Sequence, residues 1–220
     1  TSNLAFAIEI LLKRYPFYPE DRFSQFFELS FDFSVMDLFV PWEVGASTYV
    51  VPDSQKLGPA RFIADNRLTV WTCVPSVITI MQRLGMLQPG IFPSLRFSCF
   101  SGEMLTVKGA QLWMEAAPNG LLVNRFGQTE GPIGSLVQGC EGELPTTEET
   151  GGVAIGTQLD GAFVALLGED GRFVDDGGPG ELALSGPHVA KGYLENPKRT
   201  AEKFKTLDHP HLGARTWYLT

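Results

Sequence analysis

Asn124-Arg125-Phe126-Gly127-Gln128-Thr129-Glu130, entered from the apolar run Gly120-Leu121-Leu122-Val123, is the stretch whose reading decides the fold. Small and apolar residues leading into a polar, glycine-containing heptapeptide predict a short buried strand that ends in a loop. In an open α/β sheet, ligands bind in the crevice beyond the carboxyl ends of the strands. A loop of this composition offers an aromatic face, closely approachable backbone at Gly127, a hydroxyl and a carboxylate. A purine could stack on Phe126 while Thr129 and Glu130 face a phosphate and its Mg²⁺. Taken by itself the heptapeptide is equally an ordinary surface turn, since single short motifs recur by chance.

Working back from it, strands and helices alternate. Thr1-Ser2-Asn3 offers three helix caps, and Leu4, Ile8, Leu11 and Leu12 recur at helical spacing until Pro16. The aromatic run 23–31 predicts a buried strand. Phe31-Asp32-Phe33-Ser34 comes next, with Asp32 either the N-cap of an apolar helix over 35–44 or a carboxylate at a strand's C-terminal edge. Gly45-Ala46 ends that helix. A strand over 47–51, a helix over 57–66, a strand over 68–74 and a helix over 77–84 follow, the last two separated by Pro75-Ser76. This order predicts parallel βαβ units with right-handed crossovers. A further strand at 95–100 runs into Ser101-Gly102-Glu103, small enough to admit a flat ligand and equally suited to a plain turn. A helix over 108–116 then delivers the strand before Asn124.

Beyond Glu130, glycine and proline punctuate short β-rich pieces at 152–155, 163–167 and 181–185. They predict a small distorted β-barrel or β-layer attached to an α/β part. The expected division is 1–145 for the α/β substrate- and nucleotide-binding part and 146–220 for the β-rich part, joined through the acidic, threonine-rich 141–150 segment. A helix over 197–204 and a strand over 215–220 complete the pattern. At 220 residues and 44% hydrophobic the chain carries a sizeable core. A formal charge of −8 excludes the basic footprint of a nucleic-acid or anionic-membrane surface, so any nucleotide is met locally. Three widely spaced cysteines, Cys73, Cys99 and Cys140, indicate neither a disulfide framework nor zinc, and fit a reducing cytoplasm.

Three ordered stretches together resemble the adenylate-forming enzymes, in particular the amino-acid adenylation domains of nonribosomal peptide synthetases and the D-alanine carrier-protein ligases. Phe31-Asp32-Phe33-Ser34 is similar to their FDxS motif, and 124–130 to N-x-Y-G-P-T-E, with Phe126 for the usual Tyr and Gln128 for the usual Pro. Gly180-Glu181-Leu182-Ala183-Leu184-Ser185-Gly186 through Val189-Ala190-Lys191-Gly192-Tyr193-Leu194 is similar to GELxIxGxxVARGYL. Tyr218-Leu219-Thr220 resembles the start of Y-x-T-G-D. The family's phosphate loop is expected ahead of Thr1, and its Gly-Asp and C-terminal domain after Thr220. The chain is thus expected to be a central segment of a longer adenylation domain, with the remaining parts of that domain among its partners.

The resemblance implies ATP and Mg²⁺ as cofactors, an amino acid as substrate, and an acyl or peptidyl carrier protein bearing phosphopantetheine as partner. No nucleic-acid or membrane partner is expected. Thr129 and Glu130 would be catalytic, Glu130 also holding the metal. Ser101, Gly102, Glu103, Asn124, Arg125, Phe126 and Gly127 would meet the nucleotide. Asp32, Phe33, Met36, Ser76, Cys99, Ser101, Arg125, Ile133 and Gly134 would surround the amino acid, with Asp32 on its ammonium. Bulky Phe33 and Met36 favour a compact substrate. For Arg125 two readings stand: a guanidinium that snorkels outward or pairs with Glu103 or Glu130, and a fork that holds a second acceptor on the substrate. Two other functions remain open, an acyl- or aryl-CoA ligase and a catalytically silent binding segment. Against the first, a fatty or aromatic acid would leave Asp32 buried and unpaired.

Overall fold

The structure, a computed structural model, describes residues 2–142, 144–147, 150–174 and 178–220. Its main body is a seven-stranded sheet flanked by helices. Helix α1 (Ser2–Arg14) buries Ala7, Ile10 and Leu11 against that sheet. Ser2 and Asn3 lie inside this helix, and Thr1 is outside the described residues. Strand β1 (Arg22–Gln25) is shorter than the aromatic run predicts. The physical reason is Asp37, whose Oδ2 accepts from the backbone N–H of Phe26 at 3.0 Å and of Phe27 at 3.2 Å and so turns the chain out of the sheet. The remaining aromatics pack on one another instead, with Phe27 stacked on Phe31 at 5.1 Å and edge-on to Phe33 at 5.4 Å.

Helix α2 (Ser34–Val44) closes at Gly45, whose φ of 72° lets Ala46 N–H donate to Pro41 O at 2.8 Å. Asp32 does not cap it: the helix has no side-chain cap. Strand β2 (Ser47–Val50) follows. Helix α3 (Ala60–Asp65) starts later than the periodicity predicts, because Pro59 just ahead of it has no N–H to continue a helical ladder backwards. Then come β3 (Val70–Cys73), α4 (Ser76–Arg83), β4 (Phe97–Ser101) and α5 (Val107–Ala116). Thr106 caps α5, its Oγ1 accepting from Gly109 N–H at 3.0 Å.

Strand β5 (Leu121–Phe126) continues three residues past the predicted end, so Asn124, Arg125 and Phe126 belong to a strand and the loop proper is 127–135. The extension follows from a partner that local sequence does not show. Strand β6 (Leu136–Cys140) returns antiparallel along β5, opposing Phe126 to Leu136 and Arg125 to Val137. After the short β7 (Thr146–Thr147), β8 (Gly152–Val153) and β9 (Thr157–Gln158), the order of the large sheet is β2-β1-β3-β4-β5-β6-β9. The neighbours from β2 to β5 are all parallel, as the alternation of elements implies.

The β-rich part is a layer: β10 (Phe163–Leu167), β11 (Glu181–Ser185), β12 (Phe204–His209) and β13 (Gly213–Leu219) form an antiparallel sheet in the order β10-β11-β13-β12. Helix α6 (Pro197–Lys203), capped by Asn196, leads into β12. The change from one sheet to the other falls between Gln158 and Phe163. Trp217 is buried among Leu167, Ala183 and Leu219 in this second layer. Cys73, Cys99 and Cys140 are free and buried. Among the described residues no helix is long and apolar enough to cross a membrane.

Candidate functional site

The 127–135 loop leaves the carboxyl end of β5 and is tied down at both ends. Ser135 N–H donates to Phe126 O at 2.8 Å. A side chain at Gly127 would place its Cβ 2.3 Å from the Cα of Gly134, so the two arms of the loop touch backbone to backbone. Ile133 and Gly134 take positive φ angles of 62° and 84° to make the return. Glycine therefore serves close approach here.

The loop is also fixed from outside. Asp32 Oδ2 accepts from Ile133 N–H at 3.1 Å, linking the turn ahead of α2 to the loop across 101 residues. The buried Ser135 hydroxyl pairs with His188 Nε2 at 2.9 Å, and Ala190 N–H donates to Glu130 O at 2.7 Å. Burial pushes the His188 ring down to about 4. The Tyr193 phenol donates to Glu130 Oε1, and the Tyr218 phenol lies against the same two groups. Burial first, and then the Glu130 carboxylate, push both phenols above their ordinary range.

A cleft of about 250 Å³ opens above this loop. Asp32, Phe33, Ser101, Gly102, Gly127, Thr129, Glu130 and Gly134 line it, so two of the three resembling stretches converge on one space with the end of β4. A second hollow of about 430 Å³ shares Gly102 and Gly127 with the first and adds Glu103, Asn124, Arg125, Phe126, Val153 and Ile155. Asn124 Nδ2 donates to Ala154 O at 3.0 Å and so fixes one wall of it. A half-buried aromatic ring beside small residues and aliphatic side chains suits a flat heterocycle.

Other predicted residues sit elsewhere. Met36 and Cys99 are fully buried and do not line the cleft, and burial pushes the Cys99 thiol up to about 12. Ser76 stands at the start of α4, where its N–H and hydroxyl donate to the Glu103 carboxylate at 2.8 and 3.1 Å. Glu103 is thus occupied in satisfying a helix N-terminus. Ile133 is buried and meets the site through its backbone N–H. Arg125 is 2% exposed, which rules out an outward reach, and neither Glu103 nor Glu130 pairs with it. Sequence reasoning missed Tyr193, Tyr218 and His188 as parts of the site. Only tertiary contact reveals them, because 63 residues separate Tyr193 from Glu130.

Residues 1–194 match the model of the AMP-binding enzymes. The chain is 34% identical over 208 residues to an L-proline–[L-prolyl-carrier protein] ligase of Pseudomonas fluorescens, covering 93% of this chain and 41% of that protein. It is 31% identical over 192 residues to a D-alanine–D-alanyl carrier protein ligase of Streptococcus pneumoniae, covering 84% and 36%. Among solved structures, the Vibrio cholerae adenylation domain AlmE in complex with glycyl-adenosine-5′-phosphate superimposes with a TM-score of 0.89 at 35% identity, covering 100% of this chain and 41% of that one. The chain spans about two fifths of the length of these relatives. A cleft at the strand ends of a parallel-rich sheet, and a family match running through nearly all of it, make this chain a member of the AMP-binding, adenylate-forming enzymes.

Proposed function

We propose that the protein of which this chain is part activates an amino acid with ATP, giving an aminoacyl-adenylate and pyrophosphate, and then passes the aminoacyl group to the phosphopantetheine thiol of a carrier protein. The observation that carries this reading is the pinning of Asp32 in the cleft that Thr129 and Glu130 also line. A carboxylate held there suits a substrate ammonium, whereas a fatty or aromatic acid leaves it without a counter-charge. The relatives whose names specify carrier-protein ligases support the amino-acid reading over a coenzyme A ligase.

The work of each residue follows from position. Asp32 orients the amino acid by its ammonium, so that its carboxylate is the nucleophile and no side chain need be one. Phe126, Gly102 and Asn124 bound the space for adenine. Thr129, exposed on the loop, offers a hydroxyl to phosphate oxygens as negative charge gathers there. The Glu130 carboxylate lining the cleft suits Mg²⁺, which takes one or two carboxylates and completes its shell with phosphates and water. Glu130 would hold it. When bound, the ion supplies neutralisation of phosphate charge. We read 1–145 as carrying most of the site, and 146–220 as the β-rich part that adds Val153 and Ile155 to the second hollow, β9 to the edge of the large sheet, and the second sheet. The reaction belongs in a reducing cytoplasm, where three free thiols persist.

ATP–pyrophosphate exchange by the complete protein tests this. Asp32→Ala should abolish exchange with α-amino acids while sparing some turnover of their deamino analogues. Glu130→Gln should depress exchange far more than amino-acid affinity. Equal loss of both substrate types in Asp32→Ala would reduce Asp32 to a loop tether, and transfer only to coenzyme A would move the assignment to the coenzyme A ligases.

A further inference from the structure

We propose that Arg125 selects an amino acid whose side chain ends in a carboxylate. The proposal rests on the reading of the cleft as an amino-acid site. Arg125 is opposite Ser101 in the register of β4 and β5, and Ser101 lines the cleft. Its stem runs directly behind the cleft wall at Gly134, where a Cβ would come within 2.8 Å of Arg125 Cγ and 3.0 Å of Nε. Any side chain at 134 would collide with the arginine. Glycine leaves the guanidinium a way to turn toward the cleft.

Among the described residues the charge has no counterpart. Nε, Nη1 and Nη2 of Arg125 are all buried without a hydrogen-bond acceptor. No described carboxylate forms an ion pair or hydrogen bond with it, and those of the site have other partners: Asp32 accepts from Ile133 N–H, Glu103 from Ser76 and Glu130 from Tyr193. The polar groups whose fields reach Arg125, Tyr15 and Cys99 among them, are held neutral by burial, and Arg14 adds a second positive charge. A guanidinium does not shed its proton to escape this. If the position only needed filling, an aliphatic side chain would fill it without the cost of a buried, unpaired ion. The missing acceptor is therefore supplied by the ligand, and a planar carboxylate fits the fork. With Phe33 filling part of the wall, a short acid such as aspartate suits better than a long one.

The test uses the complete adenylating protein and ATP–pyrophosphate exchange with L-aspartate, L-glutamate, their amides, glycine and L-alanine. The expected result is a preference in kcat/KM of roughly 100-fold or more for an acid over its own amide, the size typical of a buried charge pair losing one partner. Arg125→Met should erase that preference by a far larger loss on the acid than on its amide, and Arg125→Gln provides the same comparison if the methionine variant does not fold. A wild-type preference for a neutral amino acid overturns the proposal, as does an acid preference that survives either substitution. Failure to use any amino acid would instead sink the amino-acid reading itself, and this inference with it.

Discussion

The phenol of Tyr193 donates a hydrogen bond to Oε1 of Glu130, and through it the segment between β11 and α6 grips the carboxylate that the first sheet's loop presents. Tyr193 packs edge-on against Phe204 at 5.6 Å, Phe204 against Tyr218 at 5.2 Å, and Arg199 lies 4.8 Å over the Tyr193 ring. The Ala190 N–H on Glu130 O completes the grip from the backbone side. Glu130 is thus set by residues that approach it from outside its own loop.

Loss of that grip should appear first as a metal effect. In the complete protein, Tyr193→Phe keeps the ring packing and removes only the donor. Groups that orient a metal-holding carboxylate typically contribute 10- to 100-fold in metal affinity. The Mg²⁺ concentration for half-maximal exchange should rise by about that factor, with the amino-acid KM little changed. A Mg²⁺ titration showing no shift would leave Tyr193 a packing residue.

Gly127→Ala should destabilise the protein by about 1–3 kcal/mol, since its new methyl meets backbone that cannot step aside. Gly139→Ala is the control. It lies on β6, where a Cβ meets only Leu121 Cδ1 at 4.0 Å, and its effect should stay within roughly 0.5 kcal/mol. Denaturant unfolding of both variants compares the two. If they unfold alike, the loop arms are free to part.

Two buried groups give stability opposite slopes against pH. His188 sits at about 4 in the fold against 6.5 when exposed, so the unfolded chain takes up a proton that the folded chain refuses. Its contribution is full above pH 6.5 and is lost as pH falls toward 4, by up to about 3 kcal/mol. Burial raises Asp37 to about 7 from 3.8, against the pull of its Thr72, Phe26 and Phe27 hydrogen bonds. Its contribution is full below pH 3.8 and is lost as pH rises through 7. His188→Gln should flatten the acid limb of the stability profile, and Asp37→Asn should gain on the wild type as pH rises from about 4 to about 7, with no further gain above that. Unfolding midpoints measured from pH 4 to 8 check both signs.

Most of the parallel sheet could be read from the chain, because the aromatic or apolar stretches that hold β1, β3 and β4 are each followed by a helix-forming stretch, and β5 grows from the apolar run 120–123. Tertiary partners decided the rest. Asp37 cuts β1 short by taking two backbone N–H groups, and β6 lengthens β5 by returning alongside it. The position of Asp32 and Glu130 in one cleft followed from resembling stretches that lie about 100 residues apart. Their holders did not, since nothing around Tyr193 or His188 announces a loop so far away in sequence. Arg125 shows the limit most plainly. Arginine is ordinarily solvent-facing or paired, and only the register beside Ser101 and the bare wall at Gly134 make it neither.

The grip on Glu130 also sets an order of assembly. At roughly 5–20 residues per second of synthesis, the loop emerges about 3–13 s before the tyrosine 63 residues further on, and Tyr218 later still. Strands β1 to β5 can pair in that interval, while the carboxylate waits without its phenols. The cleft is therefore the last part of this chain to mature, and a ribosome-bound intermediate ending before Tyr193 would carry a formed parallel sheet and an unfinished site.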